Sequence, residues 1–160
     1  METTLITKGV SHIAICVADL EKSLEFYRDK LGLVVKMHTT QEMAHRPGAE
    51  SSEMYDRPRR VRTVANVYFD DPDSPQPFLV LTSHPADEVG GEPIKLDQKG
   101  ISHISFGVSN VKAYAEELIA KGVPLAGTME DFTDDGGNVR TIFVYDPDGI
   151  LVQFDEGPKG

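Results

Sequence analysis

The sequence predicts an α+β fold in which two βαβββ modules supply a curved, eight-stranded mixed sheet with the helices outside. Three observations carry this. A strand pattern is written twice, each copy runs into a helical pattern, and each helix is followed by further strand patterns separated by turn residues. Four strands with one helix leave a sheet face of each half uncovered, so the two halves are expected to complete one another.

The repeated strand is Gly9-Val10-Ser11-His12-Ile13-Ala14-Ile15-Cys16-Val17, which returns as Gly100-Ile101-Ser102-His103-Ile104-Ser105-Phe106-Gly107-Val108. The Gly, Ser, His and first Ile are identical in the two copies, as is the closing Val. On a period of two, His12 shares a face with Val10, Ala14 and Cys16, and His103 shares one with Ser105 and Gly107. The opposite face is bulky: Ile13, Ile15 and Val17 in the first copy, Ile104, Phe106 and Val108 in the second. The bulky face suits packing on a helix, and the small-residue face suits lining a space.

Asp19 is a helix N-cap, and Leu20, Leu24, Tyr27 and Leu31 carry an apolar stripe to about Lys30, with Gly32 placed to end the helix. Leu33 to Thr40 reads as a strand. Gln41 to Val61 is polar and aperiodic, a long loop with room for a helical turn. Arg62 to Phe69 and Phe78 to Thr82 are strands joined by a turn cluster at 70–75. The second helix starts at Ser109 or Asn110 and stops at Gly122. A short strand near Leu125 to Met129 follows, then one over Asn138 to Tyr145. The turn Asp146-Pro147-Asp148-Gly149 leads into the last strand, Ile150 to Phe154. Residues 1–160 are thus one domain, with modules at 8–84 and 100–156 and a polar linker at 85–99.

A net charge of −10 argues against a nucleic-acid backbone or an anionic membrane as partner. A small-molecule ligand fits better. The single cysteine, Cys16, excludes an internal disulfide framework, and the amino terminus lacks the pattern of a signal peptide. A cytoplasmic location is the expectation. At 39% hydrophobic residues, part of the apolar surface is expected to be completed by a partner subunit, giving a homodimer.

The segments His12-Ile13-Ala14-Ile15 and Val17-Ala18-Asp19-Leu20, with Phe26-Tyr27-Arg28-Asp29-Lys30-Leu31-Gly32-Leu33, carry a family resemblance. The second copy at His103 and the closing Asp146-Pro147-Asp148-Gly149 complete it. Together they resemble the vicinal oxygen chelate superfamily of glyoxalase I, methylmalonyl-CoA epimerase, extradiol dioxygenases, and fosfomycin- and bleomycin-resistance proteins. The resemblance implies a cup formed by the paired modules around one divalent metal: Fe, Mn, Ni, Zn or Mg. It carries metal-ligand positions onto His12, His103 and Gln153. Val80 stands where the glyoxalase and epimerase branches have a further glutamate, and Gln153 itself replaces one.

Two imidazoles and an amide oxygen are competent ligands but supply no anion, so affinity for Fe²⁺, Mn²⁺ or Mg²⁺ falls and Lewis acidity rises. Neither Gln153 nor Val80 can act as a base, which leaves Glu42, Glu53, Glu130 or Asp155 for proton transfer. The ring-cleaving dioxygenase pattern is broken at Phe143, at Gln153 and around Asp134-Asp135-Gly136. The resemblance therefore implies a metal-dependent enzyme acting on an oxygenated, chelating substrate, with lyase or isomerase chemistry favoured over ring-cleaving dioxygenation. The alternative is a non-catalytic protein that sequesters a drug or metabolite.

Cys16, Ser105, Val80 and Arg62 are weaker substrate-contact positions. Cys16 is read chiefly as a small buried residue. Arg57, Arg59, Arg60 and Arg62 form a basic cluster, read as a solvated loop edge or, alternatively, as an anion clamp. His38, His45 and His84 are read as surface residues, and Phe143 and Tyr145 as core.

Overall fold

A computed structural model describes residues 5–43, 54–70 and 76–157. The chain divides into two compact units, Met1–Val89 and Gly90–Gly160.

The first unit is built on β1 (His12–Cys16), β2 (Val34–Glu42), β3 (Val61–Tyr68) and β4 (Phe78–Ser83), in the order β1-β4-β3-β2. The first strand lies parallel to β4, and the other neighbours are antiparallel. One face carries Ile15, Leu79, Leu81, Ala65 and Val67, all buried, as are Leu20, Leu24 and Tyr27 of the helical segment. The other face carries His12, Ala14 and Cys16. The expected alternation therefore holds, and the small-residue face is the open one.

The helix begins where predicted. Asp19 accepts a hydrogen bond from the Lys22 N–H at 3.2 Å and caps α1 (Leu20–Leu24). It does not run to Lys30 as a plain α-helix, because residues Glu25–Lys30 widen into a π-helix. The Leu31 N–H reaches back to the Phe26 carbonyl, five residues away, at 3.0 Å. The wider turn accommodates two consecutive buried aromatics, Phe26 and Tyr27, with rings edge to face at 4.9 Å. A 3.6-residue stripe admits Tyr27 but not Phe26.

The second unit repeats the plan with one strand reduced. It contains β5 (His103–Gly107), α2 (Val111–Ala120), a 3₁₀ turn at Glu130–Phe132, β6 (Thr141–Tyr145) and β7 (Leu151–Asp155), with strand order β5-β7-β6. The strand expected over Leu125 to Met129 is a single bridge, Leu125 to Val144. Gly127, at φ +149°, and the turn held by Asp131 break the extended run after one pair. The bridge occupies the edge that β2 takes in the first unit, so the two topologies correspond. The sheets are thus four-stranded and three-stranded.

Helix α2 is capped by Asn110, which accepts from the Ala113 N–H at 3.0 Å, and it buries Val111, Ala115 and Leu118. Its Tyr114 ring lies 4.7 Å from that of Phe154, and Phe154 lies 5.7 Å from Phe106. Among the described residues no helix is long and apolar enough to cross a membrane.

The turn before β7 forms where expected: the Gly149 N–H donates to the Asp146 carbonyl at 3.0 Å, closing a β-turn. Asp146 is buried, and its Oδ1 accepts from the N–H groups of Asp148 and Ile150, both at 2.9 Å. Asp146→Ala is expected to lower stability by about 1–3 kcal/mol, since two half-buried N–H groups lose their acceptor. The urea midpoint measures it.

Candidate functional site

The repeat extends beyond the residue letters. Gly9 and Gly100 both have φ +134°, a conformation that a side chain would strain. Two residues on, the Ser11 hydroxyl lies 3.2 Å from His12 Nδ1, and the Ser102 hydroxyl lies 2.8 Å from His103 Nδ1. With Nδ1 engaged by serine, Nε2 is the ring atom left for a metal or substrate. Each imidazole also rests on an aromatic ring of its own sheet, His12 on Phe78 at 5.5 Å and His103 on Phe143 at 5.4 Å.

Strand register fixes the partners of the histidines. His12 is paired with Phe78 and Ala14 with Val80, while His103 is paired with Leu151 and Ser105 with Gln153. Val80 and Gln153 therefore stand at the same step of equivalent strands, two residues beyond the partner of each histidine. On the second sheet His103, Ser105, Gln153, Asp155, Phe143 and Thr141 share the open face. The Gln153 Nε2 donates to the Thr141 hydroxyl at 2.7 Å, which leaves Oε1 as its ligand atom.

Asp155 is the carboxylate that sequence reasoning could name but not place. It is two residues beyond Gln153 on the same face, and its Oδ2 accepts from the Ser105 hydroxyl at 2.7 Å. Its Oδ1 accepts from the Gly157 N–H at 2.6 Å. Of the other acids considered as bases, Glu42 ends an edge strand of the first unit and Glu130 lies exposed in the 3₁₀ turn. Glu53 lies outside the described residues.

Among the described residues no three His, Cys, Asp or Glu side chains come together as a metal cage. The two imidazoles and the amide of Gln153 are all neutral donors. The chemistry of that donor set fits a divalent ion of borderline softness, since imidazole and amide oxygen both bind such ions without an anionic ligand.

Several expectations are corrected. Cys16 is exposed rather than buried, because it lies on the open face behind His12 and Ala14. His84 is buried rather than superficial: its Nδ1 lies 3.1 Å from the Val61 carbonyl, and its ring meets Tyr55 edge to face. His38 is exposed as expected, beside Glu21 at 3.5 Å, and His45 lies outside the described residues. Phe143 and Tyr145 are not core, because β6 turns Ile142 and Val144 to the helix side and leaves the two aromatics on the open face.

The arginine cluster is largely structural. Arg57 and the buried Arg59 each donate to the Glu88 carbonyl at 2.8 Å, and Arg62 donates to Gln41 at 3.0 Å. Three of the four guanidiniums thus serve the first unit itself.

The turn holding Phe132 depends on two ionised acids. The N–H and hydroxyl of Thr128, at 2.7 and 2.8 Å, hold Asp131 below the usual carboxylate range. The Asn138 N–H does the same for Asp134, aided by Gly136. Folded-state pKa values lowered in this way mean that the contribution is complete above the ordinary aspartate value and is lost as pH falls through the lowered one. Protection factors of the Thr128, Gly136 and Asn138 amides, corrected for the intrinsic pH dependence of exchange, should fall over that acid range while the core amides of β6 stay protected.

Residues 9–154 match the family model described as the Glyoxalase/Bleomycin resistance protein/Dioxygenase superfamily. The chain belongs to that superfamily. It is 27% identical over 152 residues to a Bacillus subtilis protein of unassigned function, YwkD, covering 95% of this chain and 99% of that one. It is 26% identical to the lactoylglutathione lyase of Haemophilus influenzae, covering 92% of this chain and 91% of the enzyme. A crystal structure of a glyoxalase family protein from Bacillus cereus matches 96% of this chain and 97% of its own, with a TM-score of 0.70 and 14% identity. That last likeness is one of fold. Members of the superfamily generally depend on a metal and bind small molecules.

Proposed function

We propose that the protein is a metal-dependent lyase or isomerase acting on a small substrate with two vicinal oxygens, with His12, His103 and Gln153 as the metal ligands. The supporting observation is the repeated register, which gives both histidines the same step, the same serine partner and the same sheet face. The reading includes the pairing of the two sheets around one cup and a homodimer in the cytoplasm. A bound divalent ion supplies Lewis acidity to the chelated oxygens.

The protein's own groups divide the remaining work. Ser11 and Ser102 set the imidazoles through Nδ1, and Thr141 sets the Gln153 amide. Asp155 accepts the proton from the carbon beside the carbonyl, steadied by Ser105, and so replaces the bases missing at positions 80 and 153. Val80 and Cys16 give the first sheet a neutral lining. Arg62 lies on the same face of β3, further from the histidine, as a secondary contact.

The apolar Val80 favours a second reading, in which the cup sequesters a ligand without turning it over. Metal analysis separates the two. Protein purified without added metal should carry about one divalent ion, lost on His103→Ala, and Gln153→Glu should tighten binding by at least about tenfold. Absence of metal, together with unchanged metal affinity in Gln153→Glu, would remove both residues from the ligand set.

Asp155→Asn should keep the metal but slow solvent-deuterium incorporation next to the carbonyl of an α-hydroxy carbonyl substrate, such as S-lactoylglutathione, by about 10²-fold or more. An unchanged rate would sink the base assignment.

A further inference from the structure

The segment expected to be a polar linker forms one wall of a cavity in the second unit. Residues 93–97 run beside the open face of the sheet and enclose about 610 Å³ against Phe143, Tyr145 and Leu151. Two glycines lie against the segment, and at Gly100 the approach leaves no room for a side chain. A Cβ on Gly100 would meet Ile94 Cδ1 at 2.9 Å, and one on Gly149 would stand 3.9 Å from Pro93 Cγ. Both glycines have positive φ, so the approach is built into backbone positions where a side chain would be strained.

The cavity has the size and chemistry of a small-molecule site. Phe132, Phe143 and Tyr145 supply flat walls, and Leu96 and Leu151 supply aliphatic ones. Lys95 and Asp97 are its charged lining residues, of opposite sign, and neither forms an ion pair among the described residues. Such a lining gives no net preference for an anion or a cation. It favours an uncharged, flat group, because aromatic walls pair best with another ring.

Position gives the cavity a role. Leu151 is the strand partner of His103, and Phe143 is the partner of Gln153. Phe143 thus both lines the cavity and lies 5.4 Å from the His103 ring, edge to face. The cavity and the imidazole are one residue apart.

We infer that this cavity is an aryl-binding site and that the substrate is an aryl compound whose vicinal-oxygen head lies within a few bonds of the ring. The head group rests on the function proposed above, whereas the aryl site stands on the cavity alone.

Three probes separate these parts: acetophenone carries the ring with a single carbonyl oxygen and cannot chelate, hydroxyacetone carries only the vicinal-oxygen head, and 2-hydroxyacetophenone carries both. Calorimetric or NMR titration of the metal-loaded protein should rank 2-hydroxyacetophenone first, at least about tenfold tighter than hydroxyacetone. Acetophenone should bind with or without metal. Leu96→Glu, at a residue that is 55% exposed and so tolerant of change, should weaken acetophenone by about tenfold or more. Ala126→Phe, which fills the cavity from another wall, should do the same, with circular dichroism confirming that each variant folds.

Failure of acetophenone to bind, or binding indifferent to both variants in their folded state, would overturn the aryl site. If acetophenone binds and responds to the variants while the hydroxyl of 2-hydroxyacetophenone adds nothing in the presence of metal, the metal-site reading fails and the aryl site is supported.

Discussion

The parallel pairing of the first and last strand in each unit is the constraint on which the rest depends. It sets His12 against Phe78 and His103 against Leu151, and so decides which residues of the last strand share a face with each histidine. Parallel neighbours cannot be joined by a short hairpin, so the helix and the remaining strands must lie between them in sequence. Each unit therefore buries one face beneath its helical segment and leaves the histidine face open. The serine contacts at Nδ1 recur because the backbone that presents them recurs, down to the φ of the preceding glycine.

Much of this was legible in the chain. The period-two alternation around both histidines separated the open face from the buried one, and the caps at Asp19 and Asn110 marked both helix starts. Local signals sufficed because burial on one face of a strand and hydrogen bonding at a helix end are decided within a few residues. The π-helix was not legible, because a 3.6-residue reading cannot accommodate Phe26 and Tyr27 as joint core residues. The lost strand after Leu125 was hidden too. Its sequence permits an extended chain, and only Gly127 and the Asp131 turn end it after one bridge.

The candidate site drew on both sequence and register. Motif position nominated His12, His103 and Gln153, and register now gives Val80 and Gln153 the same structural address. Asp155 stood among several acids until its strand phase and its contact with Ser105 set it apart. His84, Phe143 and Tyr145 were misassigned for one reason. Their surroundings come from residues distant in sequence, Val61 and Tyr55 for the first and the 93–97 segment for the other two. A polar composition likewise concealed that residues 93–97 form a wall.

The buried turn at Asp146 has a consequence for how such chains can change. It clamps the start of β7, so the count of residues from Asp146 to Gln153 works as a parity. With the count intact, Gln153 and Asp155 face outward while Val152 and Phe154 face the helix. Adding or removing one residue between them would exchange the two sets, sending an amide and a carboxylate into the core and a phenyl ring to the surface. Insertions here would have to come in pairs or be absorbed by a bulge. The spacing that identifies this family is thus a rule about odd and even, enforced by two hydrogen bonds to one buried oxygen.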